Sequence, residues 1–313
     1  MSENRECLTF EEALQRLENE RVSLSSGDLY ALSAASSAEN RLFGRRWPAI
    51  PAERRRMVIA MLVDNAEANF ELDFNALFRL TMKDEDPEVR ALSIEGLWED
   101  EEVTLITPLV QVLRHDLAEG PRAAAASSLG RFVLMADLEE LEERHAKLLE
   151  GVLLEVIRNP HEGPKVRRRA VESIAYLSED RVRDIIAQAY ADTDERMRIS
   201  AVFAMGRSVD KVWSDAVLKE LSSTNPAMRY EAARACGELE VNDAVPALVQ
   251  LIADPDPEVQ AAAIAALGQI GGPRARRGLE RCLRSADEVV SMSAEDALAE
   301  LDLGQQASGH VRL

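Results

Sequence analysis

The sequence predicts an all-α fold, an α-solenoid (superhelix) of repeated helix pairs with an N-terminal helical cap. Two observations carry this prediction. A unit of about 31 residues recurs along most of the chain, and alanine is abundant while aromatic residues make up only 4% of the 313 residues. Small side chains favour closely packed helices over strands. A helix pair this short cannot bury its own apolar face, so its copies must stack on one another.

One column of residues, most of them arginines, defines the repeat. Its members are 31 or 32 residues apart, except for one step of 45 residues that places an insertion near 131–150. We call this the reference column, and it consists of Arg90, Arg122, Arg167, Arg198, Arg229, Gln260 and Ser291. Seven copies of the unit are therefore present.

Each reference residue is predicted to lie in the first turn of the second helix of its pair, which we call the B helix; the first is the A helix. Four residues earlier, five copies carry Asp or Asn, which are good N-cap residues, and proline often follows at the first helical position. Apolar residues at −1, +3, +4 and +7 place one face of the B helix against a core. The residue at +6 is Gly, Ser or Ala in every copy, which lets a neighbouring helix come close.

The segments DPDPEVQAAAIAALGQIGG at 254–272 and DEDPEVRALSIEGLW at 84–98 resemble the HEAT repeat, in the short form called the phycobilisome-lyase-type HEAT-like repeat. The resemblance covers 70–303 and implies a right-handed α-solenoid whose B helices line the concave side. Residues 1–69 do not follow the register and are predicted as an N-terminal helical cap, and 304–313 as a flexible tail. The resemblance implies no particular chemistry, because HEAT proteins are mostly scaffolds and adaptors.

The arginines of the reference column, Arg90, Arg122, Arg167, Arg198 and Arg229, are interpreted as a structural ladder. They point toward the core side of the B helix and lie in its first turn, where the helix dipole disfavours a cation. A buried, unpaired charge is strongly destabilising, so each arginine should reach a carboxylate or open carbonyl groups. The N-cap aspartate of the same or a neighbouring repeat is the expected partner. Ligand binding by this column is the alternative.

The opposite face of the B helices in repeats three to five is predicted to bind a partner. Positions +1, +5 and +9 point away from the core, and they combine aromatic and arginine residues, which is typical of protein-binding hot spots. These positions are Arg168, Glu172, Tyr176, Ile199, Phe203, Arg207, Tyr230, Arg234 and Glu238. The alternative is that the rings pack between neighbouring repeats.

The chain carries 37 basic and 56 acidic residues, so 37 − 56 gives a formal charge of −19. This charge favours a protein partner with a basic surface and makes nucleic acid an unlikely ligand, although arginines cluster at 41–56 and 274–284. No apolar run approaches the length of a membrane span, and the first residues lack a signal-peptide core. Three widely separated cysteines fit a reducing compartment, so we expect a cytoplasmic protein.

We expect no enzyme, no cofactor and no metal site. The four histidines form neither an HExxH motif nor a Cys/His cluster. Deoxyhypusine hydroxylases, a HEAT-like family, hold a di-iron centre with several His-Glu dipeptides, whereas this chain has only His161-Glu162, and one pair cannot supply two metals. The predicted function is a non-catalytic protein–protein interaction scaffold or adaptor that binds a peptide or helix on the concave B-helix face. The alternative is a chromophore lyase-like or other cofactor-handling HEAT-like enzyme.

Overall fold

The computed structural model describes residues 8–285 and 287–310, with side chains up to residue 303. All regular secondary structure in these ranges is helical, which confirms the all-α prediction. The chain divides into two compact units, with the boundary between Ser173 and Ile174. None of the helices in these ranges is long and apolar enough to span a bilayer.

The first unit contains the predicted cap and the first three repeats. Its helices are α1 (Phe10–Glu18), α2 (Ser26–Leu29), α3 (Ser37–Arg46), α4 (Ala52–Ala68), α5 (Asn75–Thr81), α6 (Pro87–Gly96), α7 (Ile106–His115), α8 (Glu119–Asp137), α9 (Glu143–Arg158) and α10 (Pro164–Ile174), the last of which ends at the boundary.

The second unit contains the remaining four repeats. Its helices are α11 (Asp180–Tyr190), α12 (Glu195–Arg207), α13 (Ser214–Glu220), α14 (Pro226–Glu238), α15 (Val245–Leu251), α16 (Pro257–Ile270), α17 (Gly272–Cys282) and α18 (Glu288–His310). Helix α18 reaches into the segment predicted as a flexible tail, and residues 311–313 lie outside the described ranges.

Seven A/B pairs run from α5/α6 to α17/α18, as the reference column predicts. Successive B helices pack on one another, α6 on α8 in the first unit and α12, α14, α16 and α18 in order in the second. The B helices begin where the N-cap column predicts. The side chains of Asp86, Asp194, Asn225 and Asp256 accept hydrogen bonds from backbone N–H groups of the first turn.

Two regions depart from the regular repeat. Helix α4, within the predicted cap, packs against α6 as a B helix would, and its Arg55 is buried with a 3.0 Å bond to Asp84. The cap therefore continues the stack. The insertion near 131–150 lengthens both α8, to 19 residues, and the A helix α9, to 16 residues.

The B helices of the second unit approach one another closely at a second column of small residues, at position +8. A Cβ atom added to Gly237 would lie 2.9 Å from the Cα atom of Ala266, which is the +6 residue of the next repeat. The same pairing of +8 with +6 joins Gly206 to Ala235 and Gly268 to Ala297. The small +6 residues therefore have the role that the sequence predicts, and glycine at +8 makes the approach possible.

Candidate functional site

Some of the reference arginines join one helix pair to the next. In the second unit, Nη1 of Arg229 donates to the backbone carbonyls of Ser223 at 3.0 Å and Thr224 at 3.3 Å, between α13 and α14. Its Nε and Nη2 each donate at 2.7 Å to the carboxylate of Asp254, which precedes α16. Asp254 also accepts a hydrogen bond from the backbone N–H of Asp256, the N-cap of α16. One side chain thus connects the ends of two successive pairs.

The same geometry recurs along the chain. Arg90, Arg122, Arg198 and Gln260 each donate to the backbone carbonyl six residues earlier. Arg90 also binds the carboxylate of Asp116, and Arg122 binds that of Glu162. The expected partner was the N-cap aspartate at −4. The observed partner of Arg90 and Arg229 lies instead at −6 of the following repeat.

These contacts shift the ionisation of both partners. The guanidinium of Arg229 donates to Asp254 and holds the pKa of that carboxyl below its usual value, although burial opposes the shift. The bond to Asp254 also raises the pKa of Arg229. Burial acts to raise the pKa of Asp116, but the bond from Arg90 and a backbone N–H outweigh it, so the pKa is lowered. Both carboxyls are therefore held in the charged form.

Two predicted ladder arginines lack the carboxylate contact. Arg198 has no such partner in the next pair because Ser223 occupies the equivalent position, and the carboxylate of Glu195 lies 3.9 Å away. Arg167 is half-buried, and its Nε has no hydrogen-bond partner among the described residues. The series of arginine–carboxylate contacts is therefore incomplete in the described residues, although Arg198 keeps the carbonyl contacts that were the other expected partners.

The outward face of α12 and α14 carries a group of side chains that we call the aromatic–arginine cluster: Phe203, Arg207, Tyr230 and Arg234. The Cζ atom of Arg234 lies 5.1 Å from the ring centre of Phe203 and 5.9 Å from that of Tyr230. The Cζ atom of Arg207 covers the Phe203 ring at 5.3 Å. All four side chains are half-buried. The rings therefore pack between repeats through cation–π contacts and still face solvent in part.

Two glutamates fix Arg234 within this cluster. Its guanidinium bonds to Glu238 at 2.9 Å and to Glu231 at 3.1 Å. Burial acts to lower the pKa of Arg234, but the charges of Glu231 and Glu238 outweigh it and raise the pKa. Glu238 also pairs with Arg207 at 3.3 Å. Arg234 is therefore charged and held in one position.

A cavity of about 300 Å³ lies beside the cluster, between α14 and α16. Tyr230 and Arg234 form one wall, and alanines of α16, including Ala261 and Ala265, form the floor. Gln269 completes the lining. The candidate functional site is this cavity together with the aromatic–arginine cluster.

The remaining predicted partner-binding residues lie outside the aromatic–arginine cluster. Ile199 and Tyr176 are half-buried in the second unit, and Arg168 is half-buried in the first. Glu172 was predicted to face away from the core, but it is 8% exposed and bonds to Arg169 at 2.6 Å. An arginine three residues away on the same helix supplies the charge that lets this glutamate be buried.

The predicted stripe did not include the residues that form the cavity floor. Ala261, Ala265 and Gln269 occupy the same +1, +5 and +9 positions in the sixth repeat. Their positions signal that they line the face, but small side chains do not resemble a binding site. Their small size leaves the cavity open.

The described residues contain no group of three or more His, Cys, Asp or Glu side chains placed to hold a metal ion. His161 is exposed in the loop between α9 and α10, and Glu162 accepts hydrogen bonds from Arg122 and from the backbone N–H of Gly163. This donor set does not fit a di-iron centre.

Comparison with known proteins identifies the repeat. A family model for HEAT repeats matches residues 214–299. Deoxyhypusine hydroxylase-B of Oryza sativa subsp. japonica is 31% identical over 154 residues, which are 48% of this chain and 49% of that protein. The chain thus matches about half the length of this relative.

Solved structures match this chain at lower identity. Human deoxyhypusine hydroxylase in complex with glycerol matches 94% of this chain and 96% of its own, at 17% identity and a TM-score of 0.37. Importin beta matches 93% of this chain and 46% of its own, at 13% identity and a TM-score of 0.46.

The similarity to deoxyhypusine hydroxylase-B corrects one prediction. We expected that the chain is not an enzyme, and that expectation is wrong, because about half of the chain is related to an enzyme. The expectation relied on missing local motifs. In a stack of helix pairs, neighbouring side chains come from repeats about 31 residues apart, so a site needs no local motif.

Proposed function

We propose that this chain, which is a HEAT-repeat protein, binds a segment of a partner protein on the B-helix face of its second unit. The observation that supports this function is the position of Arg234. It lies between the rings of Phe203 and Tyr230, beside an alanine-floored cavity. Arginine and aromatic residues around an apolar pocket are typical of binding hot spots.

The cluster is ordered before binding, which lowers the entropic cost of association. Arg234 is fixed by two carboxylates and two rings, so little side-chain freedom is lost when a partner docks. The alanine floor accepts an apolar side chain. The hydroxyl of Tyr230 and the amide of Gln269 make no hydrogen bond within the described residues and are available to the backbone of a bound segment.

The charge of the chain indicates the class of partner. Glu238 lines the cavity, and Glu231 bonds to Arg234 in its wall, within a chain of formal charge −19. A partner segment with an apolar anchor flanked by basic residues complements this surface. Electrostatic attraction of this kind raises the association rate and weakens with salt.

Blocking the cavity tests this function. Ala265 is exposed and lines the cavity, so Ala265→Arg fills it without removing a contact of the fold. Ala187 is an exposed alanine of α11 on the A-helix side, and Ala187→Arg makes the same change in charge. We expect capture of partner proteins from a cell lysate at low salt to be lost with Ala265→Arg and retained with Ala187→Arg. Equal capture by wild type and both variants would remove the proposal.

A second candidate function is catalytic and is supported by the similarity to deoxyhypusine hydroxylase-B. The described residues do not supply the metal-binding set discussed above. The test is direct: the purified protein is incubated with iron and a deoxyhypusine-containing protein, and the substrate mass is measured for the gain of one oxygen. An unchanged mass, with an active deoxyhypusine hydroxylase as control, would remove this candidate. Binding and catalysis are tested independently.

A further inference from the structure

A row of four exposed arginines follows helix α17 and the turn after it, on the A-helix side of the second unit. Arg274, Arg277, Arg281 and Arg284 are spaced by three, four and three residues, so they follow one face of the helix and its C-terminal end. The row contrasts with the formal charge of −19 of the whole chain. Within the ranges that the structure describes, these four guanidiniums form neither a hydrogen bond nor an ion pair.

Two other arginines of the second unit do have partners. Arg276, on the same helix, pairs with Asp302 of α18, and Arg229 is bound on both sides. Glu280 lies in the row, but it pairs with none of the four arginines. A concentration of positive charge without neutralising contacts is costly for the free protein, and an anionic ligand relieves that cost.

The arginine row borders a groove between α15 and α17. A cavity of about 560 Å³ is lined by Val245, Pro246 and Val249 on one side and by the row on the other. It adjoins a cavity of about 440 Å³, which shares Val249 with it and extends to Ile252. The groove therefore has an apolar floor and a basic wall.

We propose that this groove binds an acidic peptide segment, whose carboxylates contact the arginine row and whose apolar side chain rests on the valine floor. The fork of an arginine side chain matches the two oxygens of a carboxylate. The apolar floor lies next to the basic wall, so the groove fits a peptide with one acidic face and one apolar face.

A peptide explains the groove better than nucleic acid does. Proteins that hold single strands stack the bases on aromatic side chains, whereas no aromatic residue lines either described cavity. The formal charge of −19 also repels a long polyanion, while a short peptide interacts mainly with the nearby row. The site is separate from the aromatic–arginine cluster, which lies on the B helices α12 and α14.

The test uses the full-length protein and a fluorescein-labelled helical peptide with glutamates on one face and leucines on the other. Its counterpart carries glutamine in place of glutamate. We expect saturable binding of the glutamate peptide, measured by fluorescence anisotropy at low salt, and binding of the glutamine peptide weaker by about tenfold. Arg277→Glu combined with Arg281→Glu should weaken binding of the glutamate peptide by at least about tenfold.

A matched control separates the groove from the overall charge. Arg41 and Arg45 are exposed, lie four residues apart on α3, and form no ion pair within the described residues. Arg41→Glu combined with Arg45→Glu changes the net charge equally and should leave the affinity within about twofold. Equal loss with both double variants, the absence of saturable binding by the wild-type protein, or tighter binding of a single-stranded oligonucleotide than of the glutamate peptide would overturn the proposal.

Discussion

Arg229 and its partner Asp254 form a nearly buried ion pair. The side chain of Arg229 is 13% exposed, and that of Asp254 is 5% exposed. Removing the arginine leaves a nearly buried carboxylate without its counter-charge and two carbonyls without a donor. We expect Arg229→Ala to lower the free energy of unfolding by about 2–4 kcal/mol, as measured by urea denaturation followed by circular dichroism.

Arg198→Ala is the matched comparison, because Arg198 keeps the carbonyl contacts and lacks the close carboxylate. Its expected cost is about 1 kcal/mol. Asp254→Asn combined with Arg229→Ala should recover part of the lost stability, because the uncompensated charge is gone. Equal costs for Arg229→Ala and Arg198→Ala would show that the carboxylate contributes nothing.

The sequence predicts that the reference arginines need partners, but it points to the wrong aspartate. Both Asp254 and Asp256 precede α16, and spacing alone does not tell them apart. Asp256 caps the helix with its carboxylate, while Asp254 bends back toward Arg229 of the previous repeat. The distinction depends on the stagger between successive pairs, which is a tertiary property.

At the scale of the element, the spacing of the B helices is set by glycine at +8 against a small residue at +6. An added methyl group at Gly237 would meet the backbone of Ala266 at 2.9 Å, so helix α14 or α16 must shift. Alanine is favoured over glycine within a helix by about 1 kcal/mol, but overpacking costs about 1–3 kcal/mol. We expect Gly237→Ala to destabilise the protein by about 1–2 kcal/mol in urea denaturation.

Gly151→Ala is the control for this substitution. Gly151 is exposed in the middle of α9, and nothing lies within 4 Å of an added Cβ atom. Only the helix preference remains, so this variant should be more stable than wild type by about 0.5–1 kcal/mol. If Gly237→Ala were also stabilising, the close approach of α14 and α16 would have no energetic importance.

The B-helix face shows which features of a site the repeat pattern predicts and which it does not. The register predicts that Phe203, Tyr230 and Arg234 share one face, and the structure brings them together. The register does not reveal that Arg234 lies between the two rings, since that depends on the side-chain rotamers. The register does not reveal the cavity either. A column of alanines indicates close helix packing, and only the distance between α14 and α16 in the structure shows that space is left between them.

At the scale of the whole molecule, two effects change the stability in opposite directions as the pH falls. The repulsion within a chain of formal charge −19 decreases, while the carboxylates bound by arginine become protonated. Protonating exposed carboxylates relieves repulsion near the isoelectric point of about 4.8. Below that pH, the stability depends mainly on the carboxylates that are bound by arginine. The bond from Arg56 lowers the pKa of Asp86 to about 2, and the pKa values of Asp116 and Asp254 are also lowered.

A carboxyl group with a lowered pKa stabilises the fold above its unfolded-state value of about 3.8, and this contribution is lost as the pH falls through the folded-state pKa. Unfolding free energy should therefore fall steeply below pH of about 4. In Arg229→Ala the lowering of the Asp254 pKa is removed, so the stability difference from wild type should be large at neutral pH and should narrow near pH of about 3. Because the two proteins differ by one charge, the overall repulsion nearly cancels in the comparison. A difference that stays constant between these pH values in urea titrations would mean that Asp254 is not held ionised by Arg229.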